Sequence, residues 1–112
     1  MAFIVREYLD DRGRNPFRRW LATLDTAIHA RVQARAFRIE LGNLGDHKEL
    51  GDGIWEARLV FGPGYRLYFG KISRDAVLLL LGGAKSSQRK QIAQAKAYWR
   101  QYLEDTKHGT AK

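Results

Sequence analysis

The stretch IWEARLVFGPGYRLYFGKISRDAVLLLLGG, residues 54–83, decides the fold. In its first eight residues the apolar side chains recur at every second position, and this period of two is typical of a strand with one buried face. The Gly-Pro-Gly triplet at residues 62–64 predicts a tight turn, because proline presets φ and glycine accepts unusual dihedral angles. We therefore expect a second strand, over residues 65–71, to return beside the first.

A third strand follows a polar turn at residues 73–75. All six residues from 76 to 81 are apolar, which is typical of a central strand that is covered on both faces. Upstream, residues 2–8 predict a further short strand, and the glycine-rich stretch at residues 42–53 predicts a loop.

Helical patterns flank these strands. Asn15-Pro16 is a typical helix start, followed by an apolar face over residues 16–24. Asp25 or Thr26 can cap a second helix, which Gly42-Asn43 ends. A last helix is expected to begin near Ser87. Its apolar stripe comprises Ile92, Ala95, Trp99 and Tyr102.

The predicted order is β-α-α-β-β-β-α, an α+β fold with an N-terminal helical hairpin, a small sheet and a C-terminal helix. We expect one domain over residues 1–105 and a disordered tail over residues 106–112, which are mostly small or polar.

Charge is the main functional indication in the composition. The chain has 112 residues, a net charge of +8 and no cysteine, which excludes disulfide scaffolds, cysteine-based zinc sites and thiol nucleophiles. Residues 1–52 carry +1 and residues 53–112 carry +7, and such a field favours a polyanionic partner such as nucleic acid, although a merely soluble basic surface is an equal alternative. No run of residues is long and apolar enough to span a membrane, so we expect a cytoplasmic protein.

A cluster of charged residues is expected on one face of the hairpin. If residues 62–64 form its loop, Arg58 lies opposite Tyr68, and the face away from the core carries Glu56, Arg58, Arg66 and Tyr68. Arg58 and Arg66 are then diagonal neighbours, and two close cations repel each other unless an anion lies between them. Arginine suits bidentate phosphate contact, Tyr68 offers a stacking surface and Glu56 can accept a proton. The alternative is a solvated sheet face on which Glu56 partly neutralises Arg58, and the pattern alone favours it.

A second basic element, residues 82–90, joins the last strand to the last helix. Lys85 precedes the helix start, where backbone N–H groups attract anions; the alternative is an ordinary helix cap at Ser86 or Ser87 beside exposed lysines. Arg31, Arg35 and Arg38 line one side of the second helix, a pattern typical of a solvated face and sometimes of a partner surface. The histidines have no metal-ligand spacing, so no metal site is expected.

Four motifs in this order resemble the addiction-module killer proteins of the RelE/ParE superfamily of type II toxins, close to HigB. They are LGDHKEL at 44–50, GIWEAR at 53–58, GPGYRLYF at 62–69 and LLGGAKSSQ at 80–88. The resemblance implies a small antiparallel sheet with a helical hairpin before it and a helix after it.

The resemblance also implies a toxin that cleaves mRNA on the translating ribosome and is held inactive by a cognate antitoxin. It implies that Glu56, Arg58, Arg66 and Lys85 are catalytic. Beside them, we expect Lys48, Tyr68, Arg89 and Lys90 to contact RNA. Glu56 stands where RelE has a lysine, and Gln91 falls where RelE has a catalytic tyrosine. The reaction needs no metal or other cofactor, because an RNA 2′-OH can attack its own adjacent phosphate.

Two other functions remain open at this point. A relative of ParE would poison DNA gyrase through protein contacts, without nuclease activity. A catalytically inactive relative would bind RNA through charge alone. For the toxin, the expected partner is an antitoxin with a helix-turn-helix domain and acidic docking segments.

Overall fold

A computed structural model describes residues 2–107. In that range the chain forms five strands, three α-helices and one 3₁₀ turn, and the predicted α+β class is confirmed. The elements are β1 (Ile4–Glu7), α1 (Pro16–Leu21), α2 (Thr26–Glu40), β2 (His47–Gly51), β3 (Ile54–Arg58), β4 (Arg66–Ser73), β5 (Ala76–Gly83), the 3₁₀ turn (Lys85–Ser87) and α3 (Gln88–Lys107).

The strands form one sheet in the order β1-β5-β4-β3-β2. Neighbouring strands are antiparallel, except that β1 and β5 run parallel. A parallel pair needs a long crossover connection, and the helices and strands between β1 and β5 provide it. β5 lies between two neighbours and is covered on both faces, as predicted from its apolar run. Val77 and Leu79 join the core under α1 and α2, whereas Leu78 and Leu80 join the core under α3.

Local capping explains where the first two helices begin. The Asn15 side chain accepts a hydrogen bond from the backbone N–H of Arg18 (3.0 Å), and Asp25 does the same for Ile28 (3.0 Å). Phe17, Leu21 and Val32 then pack on one face of the sheet. Both predicted helix starts are confirmed.

α3 covers the opposite face of the sheet. Ala95, Trp99 and Tyr102 of its apolar stripe pack with Ile54 and Tyr68 of the sheet. The Trp99 ring lies directly on Gly70 in β4, where a Cβ atom would overlap it. Glycine is therefore required at this strand position for close approach of the helix.

This contact makes Gly70→Ala a destabilising change. In an open strand, alanine is favoured over glycine by roughly 0.5–1 kcal/mol. Here we expect a loss of about 1–3 kcal/mol in the free energy of unfolding, because the added methyl displaces a buried indole ring. Urea denaturation measures it, with Val60→Ala as the control, since Val60 is 91% exposed. Equal or greater stability of Gly70→Ala would contradict this packing.

Residues 42–53 were predicted to be a loop, and this is wrong for the part that forms β2. His47–Gly51 pairs with β3 across a tight turn in which Gly51, Asp52 and Gly53 all have positive φ. β2 is an edge strand with mostly exposed side chains, so it has none of the apolar alternation by which a strand is predicted.

The predicted register of the β3–β4 hairpin is wrong by two residues. Arg58 lies directly opposite Arg66, and Glu56 lies opposite Tyr68. The connection is longer than a three-residue turn: the N–H of Leu59 donates to the carbonyl of Tyr65 (2.9 Å), which leaves residues 60–64 as the loop. Because a shift of two preserves the faces, the same side chains still point to the same side of the sheet.

The C-terminal prediction is partly wrong. α3 continues to Lys107, so residues 106–107 are helical, whereas residues 108–112 of the predicted tail lie outside the described part of the chain. Over residues 2–107, no helix combines the length and the apolar character needed to cross a bilayer.

Candidate active site

A carboxylate shared by two arginines lies at one end of the β3–β4 pair. Arg58 donates from Nε to Oε2 of Glu56 (3.2 Å), and Nε of Arg66 lies 3.2 Å from Oε1. From the start of α3, the Gln88 amide donates to Oε1 (2.8 Å). Glu56 is 0% exposed. A carboxylate withdrawn from water needs such partners to offset its lost hydration.

The two arginines occupy directly opposed positions on β3 and β4. Like charges placed in this way destabilise a sheet unless a counter-charge lies between them. Glu56 supplies that counter-charge, but it provides one negative charge for two positive ones. We call Arg58 and Arg66, together with the Glu56 carboxylate between them, the arginine pair. The arginine pair therefore keeps an excess positive charge at the end of the sheet.

The arginine pair lies at a boundary between core and solvent. In the plainer alternative, the pairing of Glu56 with Arg58 is confirmed, but the solvated face is wrong. α3 covers this face and leaves the Arg66 side chain 11% exposed and the Arg58 side chain 38% exposed. Arg66 donates from Nη1 to the carbonyl of Gly64 (2.8 Å), while its buried Nε has no hydrogen bond of good geometry. Over residues 2–107, no acceptor is found for the terminal nitrogens of Arg58, so they are free for an anion.

Lys85 is brought beside the arginine pair by the β3–β4 loop. Its backbone N–H donates to the carbonyl of Pro63 (3.3 Å). A Cβ atom on Gly64, which has φ of +76°, would lie 3.2 Å from Cβ of Lys85 and 3.3 Å from Nη1 of Arg66. Glycine thus lets the loop, the lysine and the arginine converge, and Lys85 is exposed.

Three other predicted RNA contacts are also exposed. Lys48 lies opposite Glu56 in the β2–β3 register, so both residues point to the same face of the sheet. Arg89 and Lys90 lie on the first turn of α3, directly after Gln88. Among the described residues, neither Arg89 nor Lys90 forms a hydrogen bond or ion pair with the arginine pair. The 3₁₀ turn that precedes α3 begins after Ala84 without a side-chain cap, and Ser86 and Ser87 lie inside this turn.

The predicted stacking role of Tyr68 is wrong. Its ring is 0% exposed beneath α3, so no base can reach either face. The hydroxyl donates to Oε1 of Gln91 (3.3 Å), and the Gln91 amide donates to the carbonyl of Ala84 (3.3 Å). Tyr68 is therefore a core residue that ties β4 to the start of α3. Burial, followed by the nearby Glu56 carboxylate, raises the pKa of Tyr68 to about 12.

This raised pKa predicts alkaline unfolding. Burial likewise raises the pKa of Tyr8 to about 12, against an ordinary value of 10.0. Since each folded-state pKa lies above the unfolded one, the folded protein holds these protons more tightly. The stabilisation is complete below about pH 10 and is lost as pH rises toward 12. We expect the tyrosinate absorbance of these residues to rise only together with loss of circular dichroism; ionisation in the intact fold would contradict the burial.

The arginine stripe of α2 is not uniformly solvated, contrary to its typical interpretation. Arg31 and Arg38 are exposed, but Arg35 is buried and donates to the carbonyls of Leu44 (2.6 Å) and Asp46 (3.3 Å). Burial, followed by the neighbouring Arg38 charge, lowers the pKa of Arg35.

Gln88 is a site residue that sequence reasoning missed. It bonds to Glu56 across 32 positions of the chain, and no local spacing indicates such a contact. Among residues 2–107, no three His, Asp or Glu side chains come together in a way that could hold a metal ion.

Comparison with known proteins places the chain in a family. No family model matches the sequence, and no solved structure gives a significant match. An uncharacterized protein from Haemophilus influenzae is 44% identical over 81 residues, which cover 71% of this chain and 82% of that protein. The chain belongs to the same family as this Haemophilus influenzae protein.

Proposed function

We propose that the protein is a cytoplasmic toxin of the RelE/ParE type, which cleaves mRNA on the ribosome and is neutralised by a cognate antitoxin. One observation carries the proposal: two arginines stand side by side on neighbouring strands, and a single buried carboxylate leaves them with excess positive charge. Such a pair fits an RNA phosphate, because each guanidinium offers paired donors to phosphate oxygens.

The reaction is an internal transfer within RNA. The 2′ oxygen forms a bond to the adjacent phosphorus while the bond to the 5′ oxygen of the next nucleotide breaks. The 2′-OH gives up its proton to solvent water, and the departing 5′ oxygen takes a proton from an exposed lysine, which leaves a 2′,3′-cyclic phosphate and a 5′-OH. The intermediate carries extra negative charge on the phosphate oxygens, and Arg58 and Arg66 stabilise that charge.

The structure changes the role proposed for Glu56. Glu56 was expected to act as a proton acceptor, but it is fully buried and both of its oxygens are occupied. Glu56 is therefore a positioning residue that orients the two guanidinium groups. Lys48 and Lys85 are exposed near the arginine pair, and either ammonium can protonate the leaving 5′ oxygen.

Burial of Glu56 also favours a second candidate, an RNA-binding relative that does not cleave. Induced expression in growing cells separates the possibilities. Growth arrest with cut transcripts and intact DNA supports the nuclease. Intact transcripts with double-strand DNA breaks would support a gyrase poison, and neither lesion would support the binding relative.

Salt dependence gives a further prediction for the arginine pair. On a single strand each phosphate contact contributes about 0.7 to the slope of log affinity against log salt concentration, because bound counterions are released. We expect Arg58→Ala, which removes one such contact, to reduce that slope by about 0.7 for single-stranded RNA. The control is Arg74→Ala, since Arg74 lies in the β4–β5 turn at the other end of β4. Equal slopes in both variants would place the RNA elsewhere.

A further inference from the structure

A cleft of about 310 Å³ lies beside Arg58, between α2 and the β3–β4 loop. The arginine pair does not account for it, because its other walls come from α2 and from residues 43–46. Arg31 and Arg38 line the side formed by α2, and Val60 and Phe61 line the loop side.

The walls of this cleft are fixed by a buried residue. The Arg35 guanidinium bridges from α2 to the carbonyls of Leu44 (2.6 Å) and Asp46 (3.3 Å). Gly45 has φ of +61°, and a Cβ there would lie 2.7 Å from Nη2 of Arg35. Because its walls are already ordered, the cleft loses little conformational entropy when a ligand binds.

The cleft has an excess of positive charge. Besides the buried Arg35, its lining contains Arg31, Arg38 and Arg58 but a single carboxylate, that of Asp46. Within residues 2–107, neither Arg31 nor Arg38 forms an ion pair. An anionic group entering the cleft therefore meets two cations, Arg31 and Arg38, that no carboxylate among the described residues neutralises.

The apolar part of the cleft points to a polypeptide ligand. Cζ of Arg31 lies 3.8 Å from the centroid of the Phe61 ring, so one face of that ring is already covered and is not available for stacking a base. The stacked guanidinium keeps its edge donors free, which suits the planar geometry of a carboxylate. At the rim, Val60 is 91% exposed and offers contact to an aliphatic side chain.

We propose that this cleft is the docking site for an acidic segment of a protein partner. One carboxylate of the segment pairs with Arg31 and Arg38, and a neighbouring aliphatic side chain packs on Val60. Because Arg58 lines both the cleft and the arginine pair, a docked segment hinders RNA at Arg58. That consequence rests on the proposed function, whereas the docking itself does not.

The test measures binding by fluorescence anisotropy, with the full-length protein and three probes. The first is a short labelled peptide in which Glu alternates with Leu, the second has Gln in place of Glu, and the third is a single-stranded RNA of equal charge. The cleft variant is Arg31→Ala/Arg38→Ala. Its matched control, Arg74→Ala/Arg100→Ala, removes the same charge from exposed positions outside the cleft.

We expect the acidic peptide to bind the cleft variant about tenfold more weakly than the wild type, which corresponds to about 1.4 kcal/mol, and to bind the control variant almost unchanged. The Gln peptide should bind weakly to all three proteins. The proposal is overturned if the acidic peptide does not bind, or if both double variants weaken it equally. It is also overturned if the cleft variant binds the RNA more weakly than the wild type does but binds the acidic peptide equally well. None of these outcomes depends on RNA cleavage, so a failed docking proposal is distinguishable from a failed nuclease proposal.

Discussion

Arg66→Ala is expected to abolish RNA cleavage and the growth arrest that follows from it. Removing one group that stabilises the developing charge of a transition state lowers the rate by roughly 10²–10³-fold in enzymes of this kind. Arg66 also lies beside the buried Glu56, so its removal perturbs packing as well. The measurement is the initial rate of mRNA cleavage by purified protein, made after circular dichroism confirms that the variant is folded.

Two further variants separate chemistry from folding. Arg58→Ala removes a side chain that is 38% exposed, so we expect a folded protein with a similar loss of rate. Arg74→Ala removes an equal charge from a distant turn and should leave cleavage unchanged. If the growth arrest persists in both Arg58→Ala and Arg66→Ala, the arginine pair is not the catalytic site.

Glu56→Gln is expected to cause the largest loss of stability. The substitution keeps the shape of the side chain but leaves two neighbouring guanidinium groups without a counter-charge. Breaking a buried ion pair in this way costs about 3–5 kcal/mol, a large part of the roughly 5–15 kcal/mol that stabilises a typical domain. Urea unfolding measures the loss, and Glu49→Gln on the exposed β2 is the matched control.

Glu56→Gln also tests what the carboxylate does. As a positioning residue, it should be replaceable in part by an added anion, so sulfate should restore more stability to Glu56→Gln than to the wild type. If the carboxylate does not hold the two guanidinium groups in place, the variant is as stable as the wild type and sulfate has no larger effect on it. That result would contradict the assignment of Glu56 to a positioning role.

Local signals in the sequence predicted the elements that depend on neighbouring residues. Asn15 and Asp25 cap helices through bonds that span three residues, so their positions can be predicted directly. The apolar run of β5 likewise predicted a strand covered on both faces. In contrast, β2 is formed by pairing with β3 at the sheet edge, and its own exposed residues carry no periodic pattern.

The residues that form the site were predicted better than their arrangement. Glu56, Arg58 and Arg66 were predicted to share a face, and they do, because a register error of two leaves the faces unchanged. Burial of that face follows from α3, which packs on it from more than 30 residues away. Tyr68 was therefore misassigned to RNA stacking, and Gln88 was missed, since neither outcome depends on nearby sequence.

The most direct test of RNA cleavage at the arginine pair uses ribosome-bound mRNA with one modified nucleotide. After the cleavage position is mapped with wild-type protein, a transcript with a 2′-deoxy substitution at that nucleotide is compared with the unmodified one. We predict that the unmodified transcript yields a 2′,3′-cyclic phosphate and a 5′-OH, that the 2′-deoxy transcript stays intact at this position, and that Arg58→Ala cleaves neither. Cleavage of the deoxy transcript, or unchanged cleavage by Arg58→Ala, would contradict this mechanism.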